Sequence, residues 1–264
     1  MYKVWIDAGH GGKDPGAVAN GIQEKDVALK VSLGIKERLE EGYEDVQVLL
    51  SRSTDIFLEL KDRTNKANAA GADILVSIHC NAGGGKGGFE SFRYTSASQN
   101  SIRLQEALHK AIIGKLGGID RGKKAQNLHM VRESKMPAVL TENLFVDVAA
   151  DANRLKQYIV LDSMIDGHVQ GIANYLGLSK KTKGEKTITQ ERDINVPSKW
   201  AEESWKEAQA NGYFDGSRPG ALITREEMAI VINRLTEDIL ALIAAVNRDL
   251  KVLNKRLGNF ESEG

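Results

Sequence analysis

Four side chains in this sequence have types and positions that suit hydrolysis at a metal ion. His10 and His79 each stand where an apolar, strand-like segment ends. Glu24 begins a helical period, and Glu142 ends an apolar run that starts at Pro137. Two histidines and one carboxylate are a sufficient ligand set for a catalytic zinc ion, whose fourth position stays open. His10, Glu24 and His79 supply that set, and the sequence therefore predicts Zn²⁺ as the cofactor.

The first histidine stands in a loop rich in glycine. Gly9, Gly11 and Gly12 surround His10, and glycines let the backbone turn tightly because they carry no Cβ. The imidazole can then project from the strand end into a crevice. A β-turn with a solvated histidine would give the same short motif, and Glu24 alone could be a surface acid favoured by the helix dipole.

Glu142 is the candidate general base. The segment before it, residues 137–141, is almost entirely apolar and would carry the carboxylate to the end of a buried strand. Desolvation there would raise the pKa of Glu142 into the range that a general base needs. We expect Glu142 to take a proton from the water that the metal activates.

The elements that must position these residues alternate between strands and helices. Runs of β-branched and apolar residues predict strands, and apolar residues at every third or fourth position predict helices. The predicted strands cover 4–8, 45–51, 73–79, 89–94, 128–131 and 138–141. The first predicted helix begins near residue 23, and three further helices cover 58–70, 98–116 and 155–176. This alternation is typical of an α/β fold with a largely parallel sheet, whose ligands lie beyond the carboxyl ends of the strands.

Composition excludes several classes of protein. Lys plus Arg (36) balance Asp plus Glu (36) in the 264 residues, so no basic field predicts a nucleic-acid partner. No apolar run is long enough to span a membrane, and Asp7 interrupts the N-terminus before a signal-peptide core could form. We expect no membrane partner and no signal peptide. Cys80 is the sole cysteine, which fits synthesis in a reducing compartment.

Other histidines and the cysteine receive no role in the chemistry. His129 falls in a predicted strand, where a hydrogen-bonded core histidine is the ordinary interpretation. His109 and His168 fall on helices, where solvated faces are expected. Cys80 follows His79 in an extended segment, so it should point to the opposite face and behave as a small buried apolar residue.

A second, smaller unit follows the first. Residues 179–195 are polar and rich in lysine, which predicts a linker between a catalytic domain at 1–178 and a second domain at 196–264. The second domain is predicted to be all-α. Thr224 and Glu227 have the spacing of a capping box. Apolar residues then recur every three or four positions from 228 to 257, and this segment contains no Pro and no Gly. This pattern predicts one long amphipathic helix at the end of the chain.

Four segments together resemble the motifs of the zinc-dependent N-acetylmuramoyl-L-alanine amidases of the amidase-3 type. In chain order they are Asp7-Ala8-Gly9-His10-Gly11-Gly12, Glu24, Ser77-Ile78-His79-Cys80-Asn81-Ala82 and Pro137-Ala138-Val139-Leu140-Thr141-Glu142. The resemblance covers residues 1 to about 177. One departure is Asn143-Leu144-Phe145, which stands where many members of that family have a small residue, Gly and Phe.

The resemblance implies a fold and an activity. It implies a mixed six-stranded sheet with surrounding helices, zinc ligated by His10, Glu24 and His79, and Glu142 as the catalytic acid and base. The expected reaction is hydrolysis of the amide bond between N-acetylmuramic acid and L-alanine of bacterial peptidoglycan, which would lyse the cell. A zinc peptidase acting on stem or cross-bridge peptides is one alternative, and a wall-binding protein with a structural zinc is another.

The second unit also resembles a known module. Its segments at 200–205, 212–216 and 223–227 are similar to one S-layer-homology-type repeat, which holds bacterial proteins to cell-wall polymers. A peptidoglycan hydrolase joined to such a repeat, without a signal peptide, resembles a phage endolysin that is made in the host cytoplasm and then acts on the wall. A host autolysin is the alternative origin. The apolar seam of the long helix predicts self-association, and we favour a homodimer.

Overall fold

The computed structural model describes residues 1–181 and, beyond them, 205–206, 209–213, 235–237, 239–240, 242–244, 246–248 and 250. The chain divides into two compact units, Met1–Thr182 and Lys183–Gly264, and each is described by itself. Most of the predicted linker, and most of the segments that resemble a wall-binding repeat, lie outside the described residues.

The first unit is built on a six-stranded sheet with strand order β4-β1-β5-β8-β6-β7. All neighbours are parallel except β6 and β8, which are antiparallel. The strands are β1 (Tyr2–Ala8), β4 (Val46–Leu50), β5 (Ile74–Asn81), β6 (Phe89–Arg93), β7 (Asp120–Ala125) and β8 (Ala138–Phe145), with a separate short pair β2 (Val18–Ala19) and β3 (Ile22–Gln23). The prediction of a mixed, largely parallel six-stranded sheet is confirmed.

Helices cover both faces of this sheet. They are α1 (Glu24–Gly42), α2 (Leu60–Ala70), α3 (Gln99–Leu116), α4 (His129–Arg132), α5 (Ala149–Leu155) and α6 (Tyr158–Leu176). Side chains of β1 alternate between two buried clusters: Val4 and Ile6 pack with α1, α3 and α6, while Trp5 packs with α2 and α4. Burial on both faces explains why the central strands read as continuous apolar runs.

The prediction of a strand at 128–131 is wrong. These residues form most of the short helix α4, which buries Met130 and Val131 against the sheet. The sixth strand is instead β7, whose sequence DRGKKA has no apolar alternation. Strand β7 lies at the sheet edge, where lysines are common because they discourage pairing with other chains. Strand β7 therefore has no apolar pattern from which it could be predicted.

The solvated positions predicted for His109 and His168 are also wrong. His109 lies between the Ser91 hydroxyl and the Asp120 carboxylate, both 2.8 Å away. His168 is fully buried and contacts Thr141, and burial lowers its pKa to about 4. Both rings can be buried at low cost because polar partners satisfy their nitrogens. The prediction for Cys80 is confirmed, since its side chain is buried in the core.

In the second unit, the described residues between 235 and 250 are helical, and the rest of the predicted long helix lies outside the described residues. Five apolar residues there, at spacings of four, three, four and four, are exposed: Leu235, Ile239, Leu242, Val246 and Leu250. Leu240 and Ile243 are exposed as well. Among the described residues of both units, no helix has the length and apolarity needed to cross a membrane.

Close packing of α6 on α3 depends on glycine. A Cβ at Gly171 would lie 2.8 Å from the backbone Cα of Leu108, so Gly171→Ala must push the two helices apart. We expect a loss of about 1–3 kcal/mol in the free energy of unfolding, measured by urea denaturation. Gly114→Ala on α3 is the control, since a Cβ there meets nothing within 4 Å and should stabilise the helix by up to about 1 kcal/mol. Equal effects of the two changes would contradict this packing.

Candidate active site

The two predicted histidine ligands meet because β1 and β5 are parallel neighbours in the sheet. Ala8 is paired with Ile78, and the Gly9 amide donates to the Ile78 carbonyl at 3.1 Å. His10 and His79 therefore leave the same edge of the sheet. Their ring centroids are 4.9 Å apart and the rings are nearly perpendicular.

Glu24 lies between these histidines at the start of α1. Its Oε1 atom is 3.1 Å from His10 Nε2 and 2.8 Å from His79 Nδ1. The backbone amide of Cys80 also donates to Oε1, and that of Ala17 donates to Oε2. The carboxylate is therefore fixed in place, and one ligand atom from each of the three predicted residues lies within 4.8 Å of the others.

Glycines make the space that these side chains occupy. A Cβ at Gly9 would lie 2.4 Å from His79 Cε1, and a Cβ at Gly16 would lie 2.6 Å from Glu24 Oε2. His10 itself has a φ of 58°, a left-handed conformation that non-glycine residues adopt at a cost and often at functional sites. The loop around His10 is therefore shaped for its imidazole, and a solvated β-turn histidine does not describe it.

Asp14 orients the His10 ring and was not identified from the sequence. Its Oδ2 atom is 2.8 Å from His10 Nδ1, which leaves Nε2 directed at Glu24. Metal-binding histidines ordinarily donate their second nitrogen to such a carboxylate. The available signal was the four-residue spacing between His10 and Asp14 in a glycine-rich loop.

The charges of the cluster depend on one another. Burial lowers the pKa of His10, but the hydrogen bond and negative charge of Glu24, helped by Asp14, raise it to about 9. Burial raises the pKa of Glu24, but its hydrogen bonds with both histidines hold it far below its ordinary value. Glu24 is thus an anion between two imidazoles, which is a donor set suited to a divalent cation.

Glu142 lies on the strand beside His79. The two residues are partners in the parallel pairing of β5 with β8. Glu142 Oε2 is buried and has no hydrogen-bond partner among the described residues. Burial raises the pKa of Glu142 to about 7, the positive charge of His79 opposes that rise, and the negative charge of Glu24 adds to it. A carboxylate in this state can both accept and donate a proton near neutral pH.

The three residues after Glu142, at 143–145, differ from the usual family motif and are buried at the end of β8. The Asn143 side chain is buried and donates to the His79 carbonyl at 3.0 Å, so it ties β8 to the strand that carries a candidate ligand. Leu144 is fully buried in the core with a φ of 70°, a conformation that favours glycine. Leucine at this position therefore packs the core in a strained backbone conformation.

Two buried arginines, neither of which was predicted from the sequence, donate hydrogen bonds to the backbone of the loop that carries His10. Arg52 donates to the carbonyls of Ala8 and Gly9 at 3.0 and 2.8 Å. Arg63 donates to the carbonyl of His10 at 2.6 Å and also to that of Ala8. Three successive carbonyls thus accept hydrogen bonds from guanidinium groups, which fixes the backbone that carries the ring.

Arg63 is itself balanced by a buried carboxylate. Its Nη1 atom is 3.0 Å from Asp7 Oδ1, and both side chains are almost completely buried. The Ser77 hydroxyl donates to the other Asp7 oxygen at 2.6 Å. Burial raises the pKa of Asp7, but Arg63 and this hydrogen bond hold it below its ordinary value. The acid inside the first apolar strand was the available signal for such a partner.

Comparisons of the sequence with a family model and with known proteins agree on one family. Residues 4–174 match the family model Amidase_3, described as N-acetylmuramoyl-L-alanine amidase. The endolysin of Bacillus phage SPP1 is 52% identical over 186 residues, which cover 69% of this chain and 68% of that protein. The sporulation-specific N-acetylmuramoyl-L-alanine amidase of Bacillus subtilis (strain 168) is 46% identical over 180 residues, 68% of this chain and 70% of the relative.

Solved structures share the fold of the first unit. The catalytic domain of CwlV, an N-acetylmuramoyl-L-alanine amidase from Bacillus (Paenibacillus) polymyxa var. colistinus, matches with a TM-score of 0.64 and 36% identity over 68% of this chain and 100% of that chain. An N-acetylmuramoyl-L-alanine amidase from Clostridium difficile 630 matches with a TM-score of 0.65 and 34% identity, over 69% and 98% of the two chains.

Removal of Arg63 should test the support beneath the site. Arg63→Ala leaves the charge of Asp7 buried without its partner, so we expect a loss of about 3–5 kcal/mol in the free energy of unfolding. Adding Asp7→Asn to the same chain should restore part of this loss, because a neutral amide costs less to bury than an anion. Urea denaturation measures both changes, and Lys66→Ala on the exposed side of α2 is the control. A double variant no more stable than Arg63→Ala would contradict the pairing.

Proposed function

This chain belongs to the Amidase_3 family of N-acetylmuramoyl-L-alanine amidases, and we propose that it cleaves peptidoglycan with a zinc ion held by His10, Glu24 and His79 and with Glu142 as general acid and base. The scissile bond is the amide between N-acetylmuramic acid and L-alanine. The observation that carries the proposal is the convergence of three ligand atoms within 4.8 Å. Beside them lies the buried Oε2 atom of Glu142, which has no hydrogen-bond partner among the described residues.

The residues present fit a zinc ion. Two imidazole nitrogens and one carboxylate are the donors that zinc prefers at catalytic sites, and Asp14 supplies the partner that orients His10. Gly9 and Gly16 leave room that a Cβ would fill. When bound, zinc supplies Lewis-acid polarisation of the substrate carbonyl and acidifies a water molecule.

Glu142 moves the proton in this proposal. Its Oε2 atom accepts the proton as water adds to the carbonyl carbon of the muramoyl amide. The same proton is then given to the nitrogen of L-alanine as the C–N bond breaks, so the products are a lactyl carboxylate and a free amine. A pKa of about 7 suits both transfers, since neither direction is strongly uphill near neutral pH.

The alternative of a zinc peptidase would use the same residues on a different amide bond. Product analysis separates the two, because the amidase yields a free lactyl carboxyl on muramic acid and a new amino terminus on L-alanine. A structural zinc is less favoured, since structural sites ordinarily have four protein ligands and the described residues provide a cluster of three.

The similarity to a phage endolysin supports a place of action. We propose that the protein is made in the cytoplasm of a bacterial host and then acts on the wall, where cleavage of peptidoglycan lyses the cell. A purified protein added to isolated walls should reduce their turbidity, and a chelator should prevent this.

We also propose that residues 196–264 bind a cell-wall polymer and associate with a second copy. They contain no histidine and no cysteine, which argues against a catalytic or metal-binding role. Among the exposed apolar residues described between 235 and 250, five recur at nearly heptad spacing and form a seam: Leu235, Ile239, Leu242, Val246 and Leu250. A second copy packed on this seam would remove it from water and bring two wall-binding surfaces together, which raises avidity.

Loss of a histidine ligand should remove the metal. We expect about one zinc per chain in the wild-type protein and none retained by His79→Ala after dialysis, because two remaining ligands hold zinc weakly. Metal content by mass spectrometry measures this. The control is His129→Ala, which removes a histidine outside the cluster and should keep the zinc. Tight zinc retention by His79→Ala would contradict the assignment.

Loss of the Glu142 carboxylate should stop the reaction without removing the metal. General acid–base catalysis contributes about 10²–10⁴-fold, so Glu142→Gln should lower the rate of amine release from purified peptidoglycan by that factor. Glu41→Gln, an exposed acid on α1, should leave the rate unchanged. A Glu142→Gln protein that retains its zinc and remains fully active would contradict the role of Glu142 as general acid and base.

Charges placed in the seam should prevent self-association. Full-length protein at micromolar concentration should sediment as a dimer at equilibrium, and Ile239→Lys with Val246→Lys should sediment as a monomer that is retained less by isolated walls. Glu237→Lys introduces the same side chain away from the seam and should keep the dimer. A monomeric wild-type protein would contradict self-association, and unchanged wall retention by the monomer would contradict the avidity argument.

A further inference from the structure

A row of polar side chains continues beyond the site toward the sheet edge. Glu142 is paired with His79 on one side and with Glu90 on the other. The pairing of β6 with β7 shifts between Phe89 and Ser91, which places Glu90 opposite the segment that contains Arg121. Residues directly opposite one another on neighbouring strands share a face of the sheet. The row therefore runs from a candidate metal ligand, through the general base, to β7.

Glu90 forms ion pairs with two cationic side chains at the end of this row. Its side chain is almost completely buried, and its Oε2 atom accepts from Arg121 Nε at 2.9 Å and is paired with Lys124. Its Oε1 atom accepts from the Asn81 amide at 2.7 Å. Burial raises the pKa of Glu90, but Lys124 and Arg121 outweigh burial and hold it below its ordinary value. One anion thus faces two cations, and the cluster has a surplus positive charge.

Both cations are held in place yet remain open to water. The side chain of Arg121 is 31% exposed and that of Lys124 is 40% exposed. The Arg121 guanidinium stacks 4.6 Å from the centre of the Phe145 ring, and Lys124 lies 5.6 Å from that of Phe92. Arginine has five N–H donors, and the described contacts of Arg121 are with Glu90 and, at 3.4 Å, the Gly87 carbonyl. Donors remain for an additional anion.

We propose that Arg121 and Lys124 bind a carboxylate of the stem peptide while its muramoyl amide lies at Glu142. This rests on the proposed function and names the part of the substrate that the site selects. Strands in a sheet are about 4.8 Å apart, so β7 lies about 10 Å from β8. An extended peptide advances about 3.3–3.6 Å per residue, so a carboxylate on the second or third residue of the stem can reach this pair.

Neutralisation of Glu90 alone would be the simpler role for these cations, but it requires only one of them. The distinction is measurable because a purely structural pair would affect all substrates alike. The test uses two substrates, a disaccharide carrying L-Ala-γ-D-Glu with a free α-carboxylate and the same compound with that group amidated. Rates are measured by release of the L-alanine amino terminus with the full-length, zinc-loaded protein.

Wild-type protein should prefer the carboxylate substrate about tenfold or more in kcat/KM, as expected when a charge-assisted hydrogen bond is lost. Arg121→Gln and Lys124→Gln should each remove most of this preference by raising KM for the carboxylate substrate, with kcat and the amidated substrate nearly unchanged. Lys124→Arg should retain the preference. Lys123→Gln is the matched control, since Lys123 is on the same strand but pairs with Glu106.

Three results would overturn the subsite: equal use of both substrates by the wild type, equal losses on both substrates in the two variants, or the same loss in Lys123→Gln. Cleavage of the amidated substrate by the wild type shows that the amidase reaction itself is intact in each of these cases. If neither substrate is cleaved at the muramoyl amide, the proposed function fails and the subsite fails with it.

Discussion

The parallel pairing of β1 with β5 is the constraint on which the site depends. Because Ala8 and Ile78 are in register, both strands end at the same edge of the sheet and release His10 and His79 side by side. The start of α1 then brings Glu24 between the rings, where two backbone amides fix its carboxylate. The next strand, β8, adds Glu142 in register with His79. Three candidate side chains, His10, His79 and Glu142, thus owe their proximity to strand order, and the start of α1 adds Glu24.

Two buried arginines stabilise the strained backbone conformation of the loop that carries His10. His10 has a left-handed backbone conformation and its loop is rich in glycine. The conformation of such a loop would be poorly fixed without further contacts. Arg52 and Arg63 bind successive carbonyls of the loop, and Asp7 balances Arg63 in the interior. Buried charges of this kind contribute little net stability but are costly to break. Their effect here is to hold one loop conformation, and therefore one position of the His10 ring.

Much of the fold, and the convergence of the candidate residues at one edge of the sheet, could be predicted from the sequence for a physical reason. Central parallel strands are apolar on both faces, so β1, β5 and the start of β8 are visible as apolar runs, and polar residues at their ends are conspicuous. The edge strand β7 lacks that pattern because all of its residues are exposed or only half-buried. Partners such as Asp14 and Arg63 were missed because their roles depend on contacts that strand and helix patterns do not encode. For the same reason, the buried environments of His109 and His168 could not be predicted.

The central claim is that His10, Glu24 and His79 hold a zinc ion. Anomalous diffraction at the zinc absorption edge, from crystals of the full-length protein grown with zinc, tests it most directly. We expect one anomalous peak within bonding distance of a ring nitrogen of His10, a ring nitrogen of His79 and a carboxylate oxygen of Glu24, with Glu142 outside bonding distance. A zinc peak next to other residues, or no peak at this sheet edge in a protein that cleaves peptidoglycan, would contradict this zinc site.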